Sequence, residues 1–117
     1  MCEFPEHVIP QLNPIQAKQH LASGAVLLDV RTPEERNAGF VPGSTFIPLH
    51  ELEARHGELD FATEIIVICR AGGRSQAAAE FLGDRGATTA NLAGGMHAWV
   101  DAGEIIDSTS GAPGVVI

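Results

Sequence analysis

The feature that most constrains the fold is a run of four apolar residues, Ile65-Ile66-Val67-Ile68. All four side chains are β-branched, and no polar residue interrupts them. A short run of this kind, without alternation of polar and apolar residues, is typical of a strand buried on both faces of a parallel sheet. The run therefore predicts the central strand of such a sheet.

A loop with an unusual composition follows this strand directly. It reads Cys69-Arg70-Ala71-Gly72-Gly73-Arg74-Ser75 and precedes a segment, residues 75 to 85, that has helical character. The loop thus joins the C-terminal end of a strand to the N-terminus of a helix. Ligands of open α/β sheets bind at such junctions, and the first N–H groups of a helix have no partner within the helix. We expect a thiol surrounded by amide donors and by two arginines.

The chemistry of this loop favours an activated cysteine. Cysteines at helix N-termini or near cations have a lowered pKa, and the thiolate is the nucleophilic form. Gly72 and Gly73 permit backbone angles that let successive N–H groups point inward as an anion-binding nest. Ser75 can cap the helix or donate its hydroxyl group toward the sulfur of Cys69. The alternative is that Cys69 is an inert core thiol, but two arginines beside such a thiol would be poorly placed.

The rest of the chain alternates strands with short helices. Asn13 to Gln16 and Thr32 to Glu35 both have the sequence of a capping box with proline at the first helical position. Further strands are predicted at residues 8–9, 25–28, 44–47 and 88–92, a weakly helical stretch at 49–56, and a helix at 96–102. This order predicts an α/β fold with a mainly parallel sheet.

Length and charge limit the classes of function. The 117 residues suffice for one domain, 1–117, with a core of about 8–103 and a loosely structured tail, 104–117. A net charge of −8 argues against nucleic-acid binding. We see neither a run long enough for a membrane span nor a signal peptide.

The histidines lack the paired spacing of a metal site, so no metal or other cofactor is expected. Two distant cysteines suggest a reducing compartment, by default the cytoplasm.

Three stretches, in the same order along the chain, resemble the signatures of the rhodanese family of sulfurtransferases in its single-domain form. The first is residues 28–35 followed by 39–44, the second is the loop from Cys69 to Ser75, and the third is residues 92–96 with Trp99 and Gly103. Phe40 departs from the family, many of whose members have histidine there. The three matches together are far more specific than any one of them.

The resemblance implies a five-stranded, mostly parallel sheet flanked by helices, with Cys69 as the carrier of a persulfide. The Cys69 thiolate would take a sulfur from a small donor anion such as thiosulfate and pass it to a thiol or cyanide, in two half-reactions of covalent catalysis. The backbone of residues 70 to 74 would hold the charge of the persulfide. Arg70 would face the substrate, and Arg74 would close the loop and pair with an acidic neighbour.

Two supporting residues and one terminal thiol have less defined roles. Asp29 ends a predicted strand on the side of the cysteine loop. It can position that loop through hydrogen bonds, or it can pair with Arg31 or Thr32. Cys2 is expected to be a mobile thiol, with a relay role as the alternative.

Two other functions compete with sulfur transfer by an enzyme. One is a sulfur-carrier or regulatory module that acts on a partner protein. The other is a phosphatase or arsenate reductase, but cysteine phosphatases of related fold have a loop one residue longer than the four residues that separate Cys69 from Arg74. The shorter loop fits a sulfur atom better than a tetrahedral phosphate.

Overall fold

A computed structural model describes residues 8–117 as one sheet with helices on both faces. The strands are β1 (Gln11–Leu12), β2 (Val26–Asp29), β3 (Thr45–Phe46), β4 (Ile65–Ile68) and β5 (Thr89–Leu92). The helices are α1 (Pro14–Ala22), α2 (Pro33–Ala38), α3 (Leu52–Arg55), α4 (Gly73–Asp84) and α5 (Gly95–Asp101). Short 3-10 turns at Leu49–Glu51 and His56–Glu58 flank α3. No helix within residues 8–117 combines the length and apolar character needed to cross a bilayer.

The five strands are all parallel and lie in the order β1-β5-β4-β2-β3. The predicted α/β fold with a five-stranded, mostly parallel sheet is therefore confirmed. β4 lies at the centre of the sheet, between β5 and β2. Because the strands run in one direction, the loops that follow β2, β4 and β5 meet at the same edge. The cysteine loop is the middle one of these three.

Each face of β4 packs against a separate core. Alternate side chains of a strand point to opposite faces, and all four side chains of β4 are buried. Ile65 and Val67 contribute to the core beneath α4, whereas Ile66 and Ile68 contribute to the core beneath α1 and α5. The second core also contains Trp99. Cys69 continues the alternation and faces α4.

Both predicted capping boxes are present. The side chain of Asn13 accepts a hydrogen bond from the N–H of Gln16 at 2.8 Å, and Gln16 accepts one in return from the N–H of Asn13 at 2.9 Å. Thr32 and Glu35 form the same reciprocal pair at 3.2 and 3.0 Å. These pairs satisfy N–H groups that a helix leaves free at its start. The second box fixes the first turn of α2, which carries Glu35.

The predicted edge strand at residues 8–9 is wrong in position. The edge strand is β1, Gln11–Leu12, which pairs with Asn91 and Leu92 of β5. Proline has no N–H to donate to a neighbouring strand, and Pro10 takes part only through its carbonyl, which accepts from the N–H of Asn91 at 2.9 Å. Regular pairing therefore begins after Pro10.

Residues 104–117 form no helix or extended strand, but they are held firmly against the end of α2. Phe40 and Asp107 exchange two backbone hydrogen bonds of 2.8 and 3.0 Å. The N–H of Val115 donates to the carbonyl of Ala38 at 2.9 Å, and Ile106 is buried in the second core. The structure thus differs from the loosely structured tail that the Ser, Thr, Gly and Pro content predicts, because Ile106 anchors the segment.

A buried ion pair lies just beyond β2. The guanidinium of Arg31 donates to both carboxylate oxygens of Asp29, at 2.9 and 2.7 Å, and both side chains are almost completely buried. Arg31 also donates to the carbonyls of Glu35 and Gly39, at 3.2 and 2.6 Å. Arg36 adds a longer contact to Asp29 at 3.3 Å. Of the two roles predicted for Asp29, the structure supports the pairing with Arg31, which ties the end of β2 to both ends of α2.

Loss of the charge on Asp29 should destabilise the fold. Replacing Asp29 with Asn leaves the buried guanidinium of Arg31 without its counter-ion, and breaking a buried pair in this way costs about 3–5 kcal/mol. Urea unfolding should show this loss in the free energy of unfolding. The control is Lys18→Ala, which removes the exposed pair with Glu104 and should cost roughly 1 kcal/mol or less. Equal effects of the two substitutions would contradict the structural importance of the buried pair.

Candidate active site

Cys69 lies at the C-terminal end of β4 with its side chain under the first turn of α4. Only 1% of the residue is exposed to solvent. Gly72, with a φ of +115°, turns the chain into α4. This backbone conformation is accessible to glycine but strained for other residues. The turn folds the loop back over the sulfur, as the sequence predicts.

The sulfur of Cys69 is surrounded by hydrogen-bond donors. The N–H of Gly72 lies 3.1 Å from it and the hydroxyl of Ser75 lies 3.3 Å from it. Burial, the largest single influence, raises the pKa of the Cys69 thiol, but the hydroxyl of Ser75 and the N–H groups of Ser75, Gly72 and Ala71 together outweigh it and lower that pKa below its ordinary value. Hydrogen bonds to the charged form produce a shift in this direction. The loop is therefore suited to hold a sulfur anion.

Two predictions about the loop are wrong in detail. α4 begins at Gly73, with Gly72 as its N-cap, so Ser75 lies inside the first turn and does not cap the helix. Gly73 does not have a positive φ, and a side-chain carbon at that position would contact nothing within 4 Å. Only Gly72 needs the backbone freedom that was expected of both glycines. The other role predicted for Ser75, donation toward the sulfur, agrees with the geometry.

Asn91 and Gln11 support the cysteine loop, a role that the sequence patterns did not indicate for either residue. The hydroxyl of Ser75 lies 2.5 Å from Oδ1 of Asn91, and Nδ2 of Asn91 donates to the carbonyl of Gly72 at 3.2 Å and to Gln11 at 2.8 Å. The single proton of the Ser75 hydroxyl can point at Asn91 or at the sulfur. The available signal was an asparagine within the predicted strand 88–92, because a polar group that is buried in a strand needs a partner.

The two loop arginines make different contacts. Arg74 forms a two-fold salt bridge with Glu35, with distances of 2.7 and 2.8 Å, so the predicted pairing with an acidic neighbour is confirmed. The Arg74 guanidinium lowers the pKa of Glu35 to about 2, although burial opposes the shift. Arg70 is exposed, and its Nε donates to the main-chain oxygen of Ile117 at 2.8 Å. Arg74 is thus engaged by the protein, whereas Arg70 is at the surface.

The turn between β5 and α5 supports the cysteine loop through contacts between the two backbones. The N–H of Met96 donates to the carbonyl of Cys69 at 2.8 Å, and that of His97 donates to the carbonyl of Arg70 at 3.3 Å. Gly95 has a φ of +60°, and a side-chain carbon there would occupy the space of these two carbonyl oxygens. A glycine is required at this contact, since any other residue would push the cysteine loop away.

The remaining candidates do not join the loop. Asp29 and Arg31 reach it only through α2 and the pair of Glu35 with Arg74. Within residues 8–117, no group of three or more His, Cys, Asp and Glu side chains could hold a metal ion. Cys2 lies outside the described residues. A cavity of about 270 Å³ opens beside Arg74, and its lining is Val30, Arg31, Thr32, Pro48, Leu49, His50 and Arg74.

Comparison with known proteins gives a consistent result. Residues 13–102 match the rhodanese-like domain family. The chain is 32% identical over 90 residues to the thiosulfate sulfurtransferase GlpE of Ectopseudomonas mendocina, covering 76% of this chain and 83% of the relative. It is 38% identical over 94 residues to the putative sulfur carrier protein YrkF of Bacillus subtilis, covering 78% of this chain and 51% of the relative.

Solved structures agree with the sequence comparison. The crystal structure of a rhodanese-related protein from Thermoplasma volcanium superposes with a TM-score of 0.78 at 31% identity. The match covers 83% of this chain and 96% of that protein.

Removal of the Ser75 hydroxyl should raise the pKa of Cys69. In Ser75→Ala, the sulfur loses its side-chain donor, so its thiolate should form at higher pH than in the parent protein. A pH titration of thiolate absorbance, carried out with Cys2→Ser as the background, measures this change. Ser23→Ala, at the exposed C-terminal end of α1, is the matched control and should leave the titration unchanged. An unchanged or lowered pKa in Ser75→Ala would contradict the role of the hydroxyl.

The two glycines of the loop should respond in opposite ways to alanine. Gly72→Ala forces a side chain into the left-handed region and should cost roughly 1–2 kcal/mol in the free energy of unfolding, with a raised pKa of Cys69 as the loop shifts. Gly73→Ala meets no obstacle and should be neutral or stabilising by about 0.4–1 kcal/mol, because alanine restricts the unfolded chain. Urea unfolding tests both changes. Similar losses in the two variants would show that the loop needs both glycines.

Proposed function

Because the chain belongs to the rhodanese-like domain family, whose relatives support a sulfurtransferase role, we propose that Cys69 carries sulfur between two small molecules. The donor is thiosulfate or a small persulfide, and the acceptor is a thiophile such as cyanide or a thiol. The observation that carries this proposal is the ring of N–H and O–H donors around the sulfur of Cys69. Such a ring stabilises the anion that both half-reactions need.

The first half-reaction places a sulfur atom on the enzyme. The Cys69 thiolate attacks the outer sulfur of thiosulfate, a new S–S bond forms, and the original S–S bond breaks. Sulfite leaves with the electron pair of that bond, and Cys69 becomes a persulfide with a negative terminal sulfur. No proton is transferred in this step, so no general base is required. This explains why a site without an adjacent base still suits the reaction.

The second half-reaction restores the thiolate. A lone pair of cyanide or of an acceptor thiolate attacks the terminal sulfur of the persulfide, and the S–S bond to Cys69 breaks. The electron pair of that bond returns to Cys69, whose charge the N–H groups of Ala71, Gly72 and Ser75 stabilise. In this proposal the same donors serve the thiolate and the persulfide in turn.

The arginines have separate proposed roles. Arg70 faces solvent beside the nucleophile and attracts the donor anion, which matters because the whole chain carries a net charge of −8. Arg74 keeps α2 and α4 together through Glu35. Asp29 and Arg31 act behind this pair, as positioning residues that hold α2 in place.

The geometry of Arg74 disfavours phosphatase chemistry. Recognition of a phosphate by arginine typically uses a two-pronged pair of N–H donors, and both terminal nitrogens of Arg74 already bind Glu35. Arg74 would have to break this salt bridge in order to contact a phosphate held by the loop. A sulfur atom on Cys69 needs no such change.

A carrier role for a partner protein is the second candidate. Cys69 is nearly buried, and one relative at 38% identity is named a putative sulfur carrier protein. In this role the persulfide would form on Cys69, but its transfer would require a docked acceptor protein. The two candidates share the first half-reaction and differ in the second.

Cys69 should be the site of both sulfur loading and turnover. Incubation with thiosulfate should add one sulfur atom to the intact mass of the protein, and later addition of cyanide should remove it and release thiocyanate. Cys69→Ser should abolish both events, whereas Cys2→Ser, the matched control, should retain them. Loading of Cys69→Ser, or no loading of the parent protein by thiosulfate or a small persulfide, would refute the proposal. Loading without turnover would favour the carrier role.

A further inference from the structure

The last four residues, 114–117, form a segment that runs from the end of α2 to the cysteine loop, and we call it the C-terminal strap. Its N–H at Gly114 donates to the carbonyl of Ile106 at 3.1 Å, and its N–H at Val115 donates to the carbonyl of Ala38 at 2.9 Å. The side chain of Val116 packs against the second core. The strap is therefore fixed by the backbone on one side and by apolar contact on the other.

Gly39 allows the strap to lie this close. A side-chain carbon at Gly39 would occupy the position of the Val115 carbonyl oxygen and would lie 2.8 Å from the Val115 nitrogen. The φ of Gly39 is −174°, an extended value that any residue can adopt. Glycine is therefore needed at position 39 because the strap approaches closely. The local backbone conformation does not require it.

The strap ends against Arg70. The main-chain oxygen of Ile117 accepts a hydrogen bond of 2.8 Å from Nε of Arg70. This contact leaves the two terminal amino groups of the guanidinium without a bond to residues 8–117, so they stay available as a fork for an anion. An exposed arginine otherwise has many rotamers, and their loss on binding weakens affinity.

We propose that the C-terminal strap is a positioning element that holds the Arg70 guanidinium ready for the anionic sulfur donor. The proposal rests on the function proposed for Cys69, and it adds a residue contact that sets the affinity for the donor. The strap lowers the entropy that Arg70 loses when the donor binds. It has no part in the transfer of sulfur itself, so it acts on the binding of thiosulfate and not on the later steps.

Two substitutions release the strap from different sides. Val115→Pro removes the N–H that binds Ala38, and Gly39→Ala places a methyl group where the strap now lies. Each should raise the KM for thiosulfate roughly three- to tenfold, the cost of ordering one long side chain, while kcat changes little. Ile105→Ala is the matched control, because it shortens an exposed apolar side chain outside the strap, and it should behave as the parent protein.

Each release substitution is also made in a chain that carries Arg70→Ala. With Arg70 absent, release of the strap should have no further effect on the KM, since the strap acts through that side chain. Losses of the same size with and without Arg70 would overturn the proposal and make the strap a purely structural element. A lower KM after release would also overturn it, because the strap would then obstruct the donor.

The orientation of Arg70 can be measured without any turnover. The Nε–H group of Arg70 should give an NMR signal with restricted motion and slow exchange in the parent protein, and both properties should be lost in Val115→Pro. A mobile Arg70 side chain in the parent protein would refute the strap even if sulfur transfer is normal. A parent protein that shows an ordered Arg70 but no sulfur loading would instead refute the function proposed for Cys69 and, with it, the role of the strap in donor binding.

Discussion

The N–H groups at the start of α4 point at a buried sulfur, and the other parts of the site depend on that arrangement. A buried anion is unfavourable unless donors replace the water that it loses. Gly72 and Ser75 supply donors at 3.1 and 3.3 Å. Because burial alone raises the pKa of Cys69, the donors must stay in place for the thiolate to form. The site is therefore sensitive to any shift of the loop relative to α4.

The parallel sheet provides this stability by bringing three loops to one edge. The loop after β5 supports the cysteine loop through Gly95, whose missing side chain allows direct contact between the two backbones. The loop after β2 leads into α2, where Glu35 holds Arg74. β4 lies between the other two strands, so the cysteine loop is supported on both sides. Backbone contacts and the salt bridge between Glu35 and Arg74 hold the cysteine loop in place. This support does not involve the sulfur of Cys69, which can therefore react.

The sequence predicts the fold and the centre of the site because both depend on local patterns. The apolar run of β4, the two capping boxes and the loop from Cys69 to Ser75 each need only a few neighbouring residues. The contacts of Asn91 and the path of residues 104–117 depend on segments far apart in the chain. A Ser- and Gly-rich segment resembles a loose tail until the burial of Ile106 and the approach to Gly39 are known. α4 begins two residues before the predicted helix start at residue 75, because Gly72, and not Ser75, is the N-cap.

The distribution of the arginines shows how an acidic protein can still receive an anion. Three arginines at this edge of the sheet bind internal partners: Arg31 and Arg36 contact Asp29, and Arg74 contacts Glu35. Two carboxylates offset part of the charge of these three arginines, and the contacts connect β2, α2 and α4. Arg70 differs from them because its side chain is exposed and its Nε donates to the main-chain oxygen of Ile117. In the proposed function, the exposed Arg70 attracts a small anion locally, while the net charge of −8 disfavours large polyanions such as nucleic acids. In the proposed function, the contrast between the paired arginines and the exposed Arg70 favours a small anionic donor.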